Sequence, residues 1–204
     1  MDLSPNVIKF FAIIFCFVIS VISNPLNNQS KNIFLLQLGL IFTIMADYIF
    51  LIRNNNYILA VGLFSIVQII YSLRYREGNE VERVMRFIIL YLLMMILYKI
   101  LNRSFIEIDF LIIIAIFYGI CLISSVREAW LLYKSDNKQN ANKMILFGMI
   151  LFLLCDLNLG LNYILNETTF MGNPPNLLKA ISSISIWAYY LPSQLLLALS
   201  GSEL

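Results

Sequence analysis

Residues 144–165 read MILFGMILFLLCDLNLGLNYIL, an apolar run interrupted by one carboxylate, Asp156. A bilayer core takes roughly 20 apolar residues as a helix. The stretch therefore has the length and chemistry of a membrane span, with an acid placed where acids are costly. Six further runs of the same kind lie at 7–23, 32–52, 57–73, 87–101, 109–126 and 180–200. The run at 87–101 is the shortest and spans with little tilt. Short polar or turn-forming segments separate the runs, so neighbouring helices are antiparallel. The reading is an all-α transmembrane bundle of about seven spans, residues 1–204 forming a single transmembrane domain.

Composition agrees. Of 204 residues, 60% are hydrophobic and 13% charged, against about 25% charged in a soluble domain. Net charge is +2 and there is no long basic run, so no nucleic-acid partner is expected. The partner is the bilayer. No small-residue cleavage site follows the first run, and Pro25 with its neighbouring asparagines reads as a turn rather than the end of a signal peptide. Gly172-Asn173-Pro174-Pro175 reads as a helix breaker before the last run. Lys31, Arg74, Arg76, Arg83, Arg86, Arg127, Lys134, Lys138 and Lys143 fall on one side, nine cations against five on the other. The richer side is expected to be cytoplasmic. That places the amino terminus outside and the carboxyl terminus inside, in the plasma membrane if the source is prokaryotic.

The chain contains no histidine, which excludes His-ligated zinc, Ser-His and Cys-His couples and imidazole proton shuttles. Cys16, Cys121 and Cys155 lie inside apolar runs without a CxxC pair and read as small buried hydrophobes. No metal and no cofactor is expected. Acid–base chemistry falls to Asp, Glu, Tyr, Lys or Cys.

Two carboxyls lie within spans, Asp47 and Asp156. Each costs about 2.5–3.5 kcal/mol at a helix centre. No Lys or Arg is expected at their depth, so the pair calls for a functional explanation. Their settings repeat: Gly39 precedes Asp47 by eight residues, and Gly148 precedes Asp156 by eight. Both helices run the same way, which suggests a parallel internal repeat. Counting 1.5 Å per residue from the outer side puts Asp47 about 8–9 Å deep and Asp156 about 14 Å deep. Gln68, Tyr118 and Tyr190 fall about 14–17 Å deep, and Gln194 one turn deeper. Buried polar groups need partners, so these residues are expected to meet around a shared cavity. Thr43, one turn before Asp47, is expected to hydrogen-bond it. Asn158 and Asn162 share a helix face and read as interhelical glue. Tyr75, Trp130 and Tyr133 read as interfacial anchors.

Two carboxyls in a dry site can divide labour, one donating a proton while the other stays ionised. Protonation of a vinyl ether at its β-carbon gives an oxocarbenium ion. Water then attacks, and the hemiacetal collapses to an aldehyde and an alcohol. That chemistry needs neither histidine nor metal.

At these residues the chain resembles the lysoplasmalogenase-like (YhhN) family of integral membrane proteins. Gly39-Leu-Ile-Phe-Thr-Ile-Met-Ala-Asp47-Tyr-Ile-Phe-Leu resembles the family's first Asp motif, and Leu154-Cys155-Asp156 its second. Val67-Gln68-Ile-Ile-Tyr71 is similar to the intervening His-Leu-Leu-Tyr pattern. Tyr190-Leu-Pro-Ser-Gln194 is similar to the closing Tyr-x-x-x-Gln helix. The resemblance runs from about Lys9 onward. It implies an eight-helix lipid hydrolase, here without its first helix. Such an enzyme cleaves the vinyl ether bond of lysoplasmalogens, lysoplasmenyl-ethanolamine or -choline, to a fatty aldehyde and a glycerophospho-base. It implies catalytic roles for Asp47 and Asp156 and places Tyr190 and Gln194 toward the lysophospholipid substrate; Gln68 and Tyr118, at the same depth, are expected to join them in binding it. Three departures stand out: Ala46 replaces the usual glycine, Gln68 the usual histidine, and Lys9-Phe10 the usual Lys-Pro. Two other readings accommodate the same features. One is a small proton-coupled transporter, given seven helices and midmembrane carboxyls. The other is a catalytically inactive lipid-binding relative.

Overall fold

The computed structural model describes residues 5–23, 31–76, 78–103, 109–167 and 176–202. Seven helices follow one another among these residues. They are α1 (Pro5–Ser23), α2 (Lys31–Asp47), α3 (Tyr57–Arg74), α4 (Glu80–Arg103), α5 (Phe110–Ser135), α6 (Asn140–Glu167) and α7 (Asn176–Leu199). A π-helical segment, Tyr48–Arg53, continues α2 directly after Asp47. No strand occurs among the described residues. Helix is the form dictated by hydrocarbon, where every backbone N–H and C=O must find its partner within the segment.

Six of these helices, α1 to α6, are long and apolar enough to cross a membrane. The expected seventh, α7, is 24 residues long and carries several polar side chains. Ser193 and Gln194 are fully buried along it, and Tyr190 is 5% exposed. Its polarity is turned into the bundle, which also accommodates Pro192 inside the helix. Several helices outrun their apolar runs. The fourth, expected at 87–101, begins at Glu80, where the Asn79 side chain accepts from the Glu82 N–H and supplies the missing cap. The polar stretch after residue 126 is largely helical, and only 136–139 separate α5 from α6. The expected turn at Pro25 and the breaker at 172–175 lie outside the described residues.

Packing is closest between consecutive partners, α6 with α7 and α2 with α3, then α3 with α5. Gly39 and Gly148 explain the first two. A Cβ on Gly39 would sit 2.4 Å from the Tyr71 ring, and one on Gly148 would sit 3.0 Å from Leu197 and 3.2 Å from the Ser193 carbonyl oxygen. Both glycines are points of close helix approach. By contrast, none of the most apolar stretch of α4 is buried; this helix lies on the outside, against α5 and α3.

The turn from the π-helical segment into α3 is made by Asn54 and Asn56, both in the left-handed region at φ 48° and 56°. Asparagine tolerates that conformation better than most residues. Asn56 also caps α3 by accepting from the Leu59 N–H.

Candidate functional site

Asp47 ends the α-helical part of α2 and is 3% exposed. The Tyr190 hydroxyl, from α7, donates to its Oδ2 at 2.6 Å. Asp156, midway along α6, is only half-buried and accepts from the Tyr118 hydroxyl of α5. Each carboxyl therefore has one phenol, delivered by a different helix. Asp47 and Asp156 lie within electrostatic range of each other, and Cys155 feels both. Four of the expected residues thus gather as two Tyr–Asp couples in one region of the bundle.

Gln68 extends this region. Ser125 donates to its Oε1 at 2.6 Å, and its carboxamide also lies beside the Tyr118 hydroxyl. Its Nε2 has no partner. Gln194 is fully buried, donates weakly to Ser193 Oγ at 3.4 Å and leaves its Oε1 without a partner. The buried donor on Gln68 and the buried acceptor on Gln194 are thus open hydrogen-bonding capacity in the interior. Unsatisfied buried groups of this kind in a native fold ask for a ligand, a water or a catalytic role.

An aromatic frame surrounds the couples. Phe152 packs edge-on against both Tyr190 (5.7 Å between ring centroids) and Phe64 (6.3 Å), and Phe64 meets Tyr118 at 6.2 Å. Trp187, one turn before Tyr190, stands edge-on to it at 5.6 Å. Lys9 then lies over the Trp187 ring, 4.1 Å from its centroid. Such a cation–π contact supplies a partner for a cation within an apolar span.

Several local expectations are corrected. Thr43 donates to the Gly39 carbonyl at 3.0 Å rather than to Asp47, the usual back-bond of a mid-helix threonine. Asn158 donates to Leu154 of its own helix, and it is its backbone carbonyl that accepts from Ser182 of α7. Tyr75 is no interfacial anchor; it is 3% exposed and stacked on Tyr71. Lys9 is nearer the couples than expected of any cation.

Three contributors escaped sequence reading. Ser125 sits in a Ser-Ser pair inside the fifth run, a visible polar signal without an obvious partner. Trp187 and Tyr190 are three residues apart, the spacing that places two rings on one helix face. Lys9 lies one turn inside the first run and gave no clue to its ring partner.

No group of three His, Cys, Asp or Glu residues able to hold a metal ion occurs among the described residues. Two apolar grooves lie on the bundle surface. One, of about 350 Å³, is lined by Phe10, Ile44, Met45, Tyr48, Ile49 and Arg53. The other, of about 320 Å³, includes Leu59, Gly62, Ile66, Tyr91 and Phe117. Neither is lined by an aspartate, but the first is formed by residues on either side of Asp47 in sequence.

The model of the YhhN family matches residues 6–201. No curated protein and no solved structure matches the chain. The match covers nearly the whole chain, and the protein belongs to the YhhN family.

Proposed function

We propose that this YhhN-family protein is a multi-pass membrane hydrolase of lysoplasmalogens, cleaving their vinyl ether bond with Asp47 and Asp156 as its acid–base pair. The observation that carries the reading is the pair of Tyr–Asp couples, Tyr190 on Asp47 at 2.6 Å and Tyr118 on Asp156, in one region of an apolar bundle. A neutral carboxyl gives its proton to the β-carbon of the vinyl ether, and the positive charge spreads over the α-carbon and the ether oxygen. The ionised carboxyl stabilises that charge and then takes a proton from the attacking water. As the C–O bond of the hemiacetal breaks, the second carboxyl passes its new proton to the leaving glycerol oxygen and the hemiacetal hydroxyl returns one to the first carboxyl, releasing a fatty aldehyde and the glycerophospho-base and restoring both acids. No covalent intermediate with the protein is needed.

The remaining residues have work of the right chemistry. The unpartnered Gln68 Nε2 is a donor for the attacking water or the ether oxygen, and the unpartnered Gln194 Oε1 is an acceptor. A glutamine at position 68 orients but does not titrate, so proton transfer stays with the carboxyls. The groove between α1 and α2 offers an apolar path for the single alkenyl chain, with Arg53 at its rim for the phosphate. By the Lys and Arg distribution, that rim faces the outside of the cell.

The test is aldehyde release from lysoplasmenyl-ethanolamine by purified wild type, Asp47→Asn and Asp156→Asn. Asn keeps the side-chain shape and removes the titrating proton. Release by wild type that collapses in both variants supports the paired-carboxyl hydrolase. No release by well-folded wild type across pH 5–8 and several head groups sinks it, and release that survives both substitutions moves the site elsewhere.

A further inference from the structure

At the end of the bundle where α3 terminates, the charged side chains fall into two groups. Arg76 pairs with Glu128 at 3.3 Å, Arg86 with Glu82 and Lys31 with Glu80. Arg83 pairs with no carboxylate among the described residues but donates to two backbone carbonyls, Ser72 at 3.2 Å and Arg76 at 2.6 Å, and so closes the C-terminal end of α3. Arg74 is different. It is 6% exposed, and no carboxylate reaches it among the described residues. Its Nε donates to Asn32 Oδ1 at 2.5 Å and its Nη2 to Ser200 Oγ at 3.0 Å. Both partners are neutral. Its Nη1 has no partner, and neither does the hydroxyl of Tyr75, whose ring lies 5.7 Å from the guanidinium carbon.

A buried guanidinium needs an anion, since neutral acceptors and a ring face do not remove its net charge. We propose that Arg74, with Tyr75, is a binding site for a phosphate oxyanion at the end of the bundle opposite Asp47. The guanidinium is already oriented by Asn32 of α2 and Ser200 after α7, so Nη1, enclosed beside Tyr75, is the edge left without a hydrogen bond. A phosphate oxygen accepts from a planar N–H edge and from a phenol together. The position favours phosphate over other anions. The eighteen residues of α3 cover about 27 Å, one hydrocarbon thickness, which puts Arg74 at head-group level. Arg83, held nearby on the Ser72 and Arg76 carbonyls, adds positive potential beside it.

This site is separate from the carboxyl pair. Asn32, which Arg74 contacts, precedes Asp47 by fifteen residues of near-continuous helix, about 22 Å. The six bonds from a vinyl ether carbon to the phosphorus of the same lysolipid reach only about 7 Å, judged from backbone-like bond lengths. One substrate molecule does not bridge the two. The phosphate belongs either to a lipid of the other leaflet or to a free ion.

The experiment uses the full chain purified in a neutral detergent. Its Tm is followed on titration with inorganic phosphate against chloride at matched ionic strength. In parallel, native mass spectrometry compares retention of dioctanoyl-phosphatidylglycerol with dioctanoylglycerol, which has the same tails and no phosphate. We expect phosphate, the phosphatidyl lipid, or both to bind. Arg74→Met should weaken that binding about tenfold or more, the loss for a charge-assisted contact. Tyr75→Phe should weaken it several-fold, and Lys138→Met, an equal charge change at an exposed residue, should leave it unchanged. Binding by the lipid alone assigns the site to a head group, and binding by both assigns it to phosphate as such. If Arg74→Met does not fold, the wild-type arms and Tyr75→Phe decide. Absence of a phosphate-dependent Tm rise together with equal retention of both lipids overturns the proposal. So does wild-type affinity in folded Arg74→Met.

Discussion

The α2–α3 and α6–α7 helix pairs are built to the same plan and finished differently. In each, a glycine lies eight residues before the aspartate and receives a side chain from the next helix, Tyr71 on Gly39 and Leu197 on Gly148. In each, a buried glutamine stands three residues before that side chain, Gln68 and Gln194. The finish differs at the carboxyls. Asp47 is buried and takes its phenol from α7, a member of the other pair. Asp156 is half-buried and takes its phenol from α5, outside both pairs. Equal scaffolds with unequal surroundings are what two chemically identical acids require in order to take different roles.

The largest effect should fall on catalysis. Asp47→Asn and Asp156→Asn should each lower aldehyde release about 10²–10⁴-fold. The double variant should be little worse than the poorer single one, because groups acting as a unit are not additive. Additive losses would mean that the two acids work independently, and the comparison would lose its point.

Next come the phenols. Tyr190→Phe leaves a buried carboxylate short of its donor and should cost about 1–3 kcal/mol in a denaturation measured in detergent. Tyr118→Phe should cost less, since Asp156 has an exposed side to recover a partner. Equal costs would show that the difference in burial has no energetic consequence.

The glycines probe the shared scaffold. Gly39→Ala drives a methyl to 2.4 Å from the fully buried Tyr71 ring and should cost about 1–3 kcal/mol by overpacking. Gly148→Ala meets Leu197 at 3.0 Å and should cost less, a ranking that thermal unfolding of the two variants reads directly. The smallest stability effect belongs to Gln194→Met, which removes an unsatisfied buried acceptor at similar volume. Tm should hold or rise while KM for the lysolipid increases; an unchanged KM would take Gln194 out of the site.

The architecture was legible in the sequence because hydrocarbon leaves a chain so few options. Apolar runs gave the helices, the Gly-x7-Asp repeat gave the paired scaffold, and depth counting gathered Asp47, Asp156, Tyr118, Tyr190 and Gln68 into one region. Depth is an axial coordinate, however, and says nothing of rotation about a helix. That is why Thr43 was assigned to Asp47 when it turns back to Gly39, and why Tyr75 and Arg74 looked like surface residues. Hydropathy marked α7 as a span without telling which way its polar residues turn, and Ser193 and Gln194 turn into the bundle. Lys9 was hidden for a third reason: its partner is a ring face, which has no signature in sequence.

The π-helical segment Tyr48–Arg53 has a consequence for how this chain tolerates change in length. A π-turn accommodates one residue more than an α-turn, and it stands immediately after Asp47. Removing a single residue within 48–53 would let the segment close into ordinary α-helix and leave everything up to Asp47 in register. The same deletion between Gly39 and Asp47 would rotate the carboxyl by about 100° away from Tyr190. Across relatives of differing length, single-residue gaps should therefore collect on the C-terminal side of Asp47 and stop short of it.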